Sequence, residues 1–125
     1  MSTLTVSNIK ATGETASRAV SGVAAAWVNF NGTGTIAVRD SVNVASLTDS
    51  GSGKYLISFS NSFGAVDYCN NVTTRGVAAT FSGLGSEDHD ASRSVSNLSV
   101  YSTRPDTLAV TDSSSVSMSA HGDLA

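Results

Sequence analysis

The chain has 125 residues, enough for one domain, with a formal net charge of −3, no basic run and a single cysteine. That balance argues against a phosphate-tracking nucleic-acid surface, and one cysteine excludes an internal disulfide framework. No stretch approaches the roughly 20 apolar residues of a spanning helix, and MSTLTVSNIK lacks a basic-then-apolar secretory signal. The expectation is a protein made in a cytoplasm and soluble or assembled there, with no membrane insertion.

Taken in chain order, residues 3–9 read as a short strand and residues 10–14 (KATGE) as a turn. Residues 15–25 stay open. Ala16, Ala19, Val20 and Val23 fit a helical stripe with Thr15 as its cap, yet Gly22 lies inside it, and an extended linker reads equally well. Residues 1–24 are therefore taken as an arm or attachment segment, and residues 25–125 as a β-sandwich-like domain.

From residue 25 the pattern becomes period two. Ala26, Val28 and Phe30 occupy one side of a two-residue repeat with Asn29 and Asn31 on the other, the mark of a half-buried strand. Asn31-Gly32-Thr33-Gly34 predicts a hairpin turn, because Asn and Gly accept positive φ. Residues 35–38 pair back, Arg39-Asp40-Ser41 reads as a break or bulge, and residues 41–47 as the next strand. A turn at 50–53 precedes a strand at 54–60 with Tyr55, Ile57 and Phe59 on one side.

Val66, Tyr68, Asn70 and Val72 predict a further strand, and Val77, Ala79 and Phe81 another. Residues 82–92 form the longest polar loop. Residues 93–101 place Leu98 and Val100 inward, with Val95 and Tyr101 on the opposite face. Leu108 and Val110 suggest a short strand, and Val116, Met118 and Ala120 the last one. The sum is an all-β chain, an antiparallel sandwich or meander of about nine short strands.

Bulk is scarce in it. Only 40% of residues are hydrophobic, Ser and Thr supply more than a quarter, and the aromatics are four Phe, three Tyr and one Trp. Small side chains bury little area, at about 25 cal/mol per Å², against an ordering cost of about 1–2 kcal/mol per residue. The expectation is a core completed by homo-oligomerisation, which mass action would stabilise.

Chemistry is harder to find. Glu87, Asp88, His89 and Asp90 form the one weak metal candidate, although they match no calcium-loop spacing and read more simply as a solvated loop. Gly32-Thr33-Gly34 lacks the rest of a dinucleotide fingerprint, since Ala37 stands where a third Gly belongs. His89 and His121 are the only histidines, and no G-x-S-x-G elbow is present. Cys69 is expected as a small buried hydrophobe. An aromatic platform for sugars could come only from Trp27, Tyr55, Tyr68 or Tyr101, with Trp27 expected inside. The expectation is no enzyme, no catalytic residue and no cofactor.

The stretch AWVNFNGTGTIAVRDSVNVASLTDSGSGKYLISFSNSF resembles a module of tailed-bacteriophage virion proteins of the tail-fibre or tail-fibre-like kind. The matching positions are 27–30, 31–35, Arg39, 43–49, Gly53 and 55–59, with a looser match at Val66-Asp67-Tyr68 and in the closing Gly122-Asp123-Leu124-Ala125. The resemblance implies a non-enzymatic, homotrimeric β-domain on the surface of a phage particle. Its partners would be other virion proteins, met through the arm, and a host-surface glycan or protein. A capsid decoration protein that stabilises the head is the alternative. A carbohydrate-binding module is a third reading.

Overall fold

The computed structural model describes residues 1–9, 12–13, 15–16, 18–75, 83–88 and 93–125. Within the arm, β1 (Asn8–Ile9) and β2 (Arg18–Ala19) form a two-residue antiparallel ladder, followed by one 3-10 turn at Val20–Gly22. The open question over residues 15–25 thus resolves into a short extended pair and a turn, with no α-helix among the described residues. Only Asn8–Ile9 of the expected 3–9 strand is a strand, and Leu4 and Val6 are exposed.

Among the described residues, eight strands build the domain: β3 (Ala24–Asn31), β4 (Ala37–Val42), β5 (Val44–Gly51), β6 (Lys54–Phe59), β7 (Cys69–Thr74), β8 (Leu84–Glu87), β9 (Asn97–Thr103) and β10 (Val116–His121). They form two four-stranded sheets, in the orders β4-β3-β10-β7 and β5-β6-β9-β8, and every pair is antiparallel. The protein is an all-β sandwich, as the alternation predicts.

The four central strands supply most of the core. Ala26, Val28 and Phe30 of β3 and Val116, Met118 and Ala120 of β10 face Tyr55, Ile57 and Phe59 of β6 and Leu98 and Val100 of β9. Strand β4, at a sheet edge, is exposed almost throughout, Val38 and Val42 included. Among the described residues, Phe30, Tyr55, Phe59, Phe63 and Tyr68 go inside. Phe30 meets Tyr55 edge-on at 5.0 Å, and Phe63 stacks on Tyr68 at 4.2 Å, with Phe59 edge-on to both. Concentrating the rings between the sheets is how a chain poor in bulk closes a core.

Several boundaries differ from the sequence reading. Strand β4 runs through Arg39-Asp40-Ser41, absorbing Arg39 as a bulge: Asn29 pairs with Asp40 and Phe30 with Val38. The break falls instead at Asn43, which takes φ 57° and turns the chain from one sheet into the other. Its side chain holds the corner, accepting from Asn61 N at 2.7 Å and donating to Asn61 O at 3.0 Å.

The Asn-Gly hairpin is also not the tight turn expected. Between β3 and β4 only Gly34 has positive φ (61°), while Asn31 caps the loop by accepting from Thr33 N and Oγ1. Gly32 is needed for space, since a Cβ there would lie 2.2 Å from Tyr55 Oη.

Leu108 and Val110 do not form a strand. Leu108 takes φ 58° in an exposed loop, and Val110 makes only an isolated bridge to Thr103. Val95 packs against the core from outside β9 rather than opposing it. The strand expected over Val77, Ala79 and Phe81 lies outside the described residues.

Candidate functional site

The expected metal loop is split. Glu87 ends β8, and its carboxylate accepts from Arg93 Nε at 2.8 Å, from a second Arg93 nitrogen and from Asn70 Nδ2 at 3.1 Å. The hydrogen bonds from Arg93 hold its carboxyl below the usual glutamate range, against the opposing effect of partial burial. Arg93 also donates to Tyr68 O at 2.7 Å, and its guanidinium lies 4.9 Å from the Tyr68 ring centroid. Glu87 is therefore part of an ion pair that braces the chain.

Asp88 turns to Tyr101, and its carboxylate raises the pKa of the phenol it meets. His89 and Asp90 lie outside the described residues. Among the described residues, no three metal-ligating side chains converge.

Cys69 is exposed, against the buried reading. Parity is the reason. It begins β7 on the face shared by Asn71 and Thr73, while Asn70, Val72 and Thr74 take the more covered side. The register sets Cys69 opposite His121 of β10.

Parity also moves Trp27. The expectation that it is buried is overturned: Ala26, Val28 and Phe30 occupy the inner face, so Trp27, Asn29 and Asn31 stand on the outer one. The register extends this face across the sheet. Val42, Trp27, Ser119 and Asn71 form one row, and Asp40, Asn29, Ser117 and Thr73 the next. The members of these rows on β3, β10 and β7 line a shallow groove of about 250 Å³, with Trp27 in its wall and Ser117 and Ser119 along its length, while Val42 and Asp40 of β4 are not part of the lining.

Asn29 is a strut in this groove. Its Nδ2 donates to Ser117 Oγ at 2.8 Å and Ser115 Oγ at 3.3 Å, and its Oδ1 accepts from Arg39 at 3.3 Å. Arg39 in turn donates to Ser114 O. Among the described residues, the side chains of Asn71, Thr73 and Ser119 have no hydrogen-bond partner.

The other candidate platform residues are spent. Tyr55 and Tyr68 are core residues, and burial pushes both phenols up to about 12. Tyr101 lies on the outer face of the second sheet, with Lys54 Nζ 5.0 Å from its ring centroid. An aromatic face backed by uncharged hydroxyls and amides, as around Trp27, suits noncovalent recognition. The signal for it was in the sequence, because Trp27 shares parity with Asn29 and Asn31.

No family model, no curated protein and no solved structure matches the chain.

Proposed function

We propose that this chain is a structural component of a tailed-phage particle, a tail-fibre or spike-type subunit that contributes to host-surface attachment and does no catalysis. The observation that carries the reading is the polarity of the sandwich. The arm enters β3 at the end where β10 finishes, since Ala24 pairs with His121. The arm and its junction expose Met1, Leu4, Val6, Ile9, Val20 and Val23, an apolar set that calls for a partner. The β3–β4 loop, the β5–β6 turn and the loop after β9 gather at the opposite end.

A subunit anchored through its arm to other virion proteins, and to its own copies in a homotrimer, would hold those loops and the Trp27 face away from the particle. Such sites are shallow, and many copies on one particle raise weak affinity to useful avidity. The same exposed arm would suit a decoration protein laid against a capsid, which is the second reading.

Gold-labelled antibody on purified particles tests both. Label at tails supports the fibre reading, and dense label over heads favours decoration. Particles without label overturn both. In solution, light scattering of the full chain should give the mass of a trimer, and removal of residues 1–22 should reduce it to a folded monomer. A full chain that is monomeric at all concentrations would overturn the assembly role of the arm.

A further inference from the structure

We propose that the Trp27 groove is a binding site for a neutral glycan, a chain of uncharged pyranose sugars. The attachment reading gives this site its place on a particle, and the inference rests on that reading for its purpose. Its chemistry comes from the groove alone.

A pyranose has a flat C–H face and a rim of hydroxyls that both donate and accept. The half-buried indole of Trp27, flanked by exposed Val42 on one side and Ser119 on the other, offers a matching flat, weakly negative surface. Asn71, Thr73 and Ser119 supply uncharged groups of both kinds, none of them used within the described chain. Trp27 and Asn71 sit two strands apart in one row, a span of about 10 Å, which suits a short oligosaccharide lying across the strands.

The lining also argues against other ligands. It carries no formal charge, and of the charged neighbours on β4 the Arg39 guanidinium is held by Asn29 and Ser114, while Asp40, opposite Asn29, is an anion that would repel another. Phosphate, sulfate or carboxylate groups would be desolvated there without a counter-charge. Strands β3 and β10, which form the floor under Trp27, Ser117 and Ser119, are paired on both sides and offer no backbone edge to an extended peptide there.

The only tryptophan in the chain is the one in the groove, so its fluorescence reports on the site. The full chain would be screened against an array of neutral oligosaccharides, and by gel retardation in dextran, mannan and mixed-linkage β-glucan, with heparin as the anionic control. The expected result is retardation by at least one neutral glycan and a saturable change in Trp27 emission. Trp27→Ala should weaken retardation by about thirtyfold or more, and Tyr101→Ala on the far sheet should leave it unchanged. Ser119→Gln, which fills the groove but keeps the fluorophore, should abolish the emission change, and it decides the matter if Trp27→Ala fails to fold.

Binding to none of the neutral glycans, binding to heparin alone, or equal retardation of Ser119→Gln would each overturn the proposal. Labelled particles without glycan binding sink this site and spare the attachment reading. Glycan binding with unlabelled particles does the reverse.

Discussion

The two ends of the sandwich are closed by the same device, a buried tyrosine whose hydroxyl donates to backbone carbonyls. They differ in what stands behind it. At the loop end, Tyr55 Oη donates to Gly32 O at 2.9 Å, and Asp112 accepts from Gly53 N at 2.6 Å. Gly32 and Gly53 have no room for a side chain, because a Cβ on either would meet neighbouring atoms under 3.0 Å. At the arm end, Tyr68 Oη shares its proton between Ser94 O and Asn97 O, and the Glu87–Arg93 ion pair braces the ring.

Steric fit distinguishes the loop end, where Asp112 and the Arg104–Asp106 pair add charge, whereas at the arm end the ion pair lies against the tyrosine ring itself. The end that carries the arm has an acid-labile brace. Steric fit does not titrate, whereas a carboxylate does.

The largest expected effect comes from breaking the fit. Gly53 has φ 64° and no space, so Gly53→Ala should cost about 3–5 kcal/mol, read from urea denaturation. Gly51→Ala is the control at the same turn. Its φ of 124° is unfavourable for Ala, but nothing lies within 4 Å, so the cost should be clearly smaller. Equal losses would mean that backbone strain, and not fit, governs this end.

Next come the tyrosines. Tyr55→Phe removes a donor from Gly32 O inside a tight corner and should cost about 1–3 kcal/mol. Tyr68→Phe should cost less, because Asn97 O still accepts from Ser94 N. The reverse order would contradict the division drawn between the ends. Both phenols are pushed up to about 12, mainly by burial. Their neutral forms are favoured in the fold, so this stabilisation is complete below pH about 10 and falls between about 10 and 12. Absorbance near 295 nm should show two phenols titrating near 12, with the Tyr101 phenol also above its ordinary value beside Asp88.

The smallest effect is at the ion pair. Glu87 is lowered below the usual glutamate value, so its contribution is present above that value and lost as pH falls through the folded one. The pair is part-exposed, which limits the loss to about 0.2–1 kcal/mol. Glu87→Gln should flatten the acid side of the stability profile without touching the alkaline side. An unchanged acid limb would remove charge from the account of the arm end.

The fold was legible where period two was clean. Residues 26–30, 55–59, 98–100 and 116–120 gave their inward faces directly, and these became the central strands. Reading failed where a residue's role depended on a distant partner. The hydrogen bonds that justify Asn43 come from Asn61, and the constraint on Gly32 comes from Tyr55. Glu87 looked like a loop ligand because Arg93 and Asn70 come to it only through folding.

The candidate site shows both sides of this. Trp27 was misplaced by weighing its size above its parity, although the Asn29 and Asn31 beside it already marked an outer face. Its neighbours Asn71, Thr73, Ser117 and Ser119 could not be assigned to it from the chain, because register between strands is a long-range choice.

Alternation and turn chemistry are local, so the amino-acid order alone determined that this is an antiparallel β-protein and which side chains of each central strand face inward. Which strands become neighbours, where the sheets exchange the chain, and which polar residues surround the lone tryptophan depend on contacts between residues far apart in sequence. Those were decided only when the two sheets closed over a small set of aromatic rings, because a core this short of bulk is completed by bringing them together.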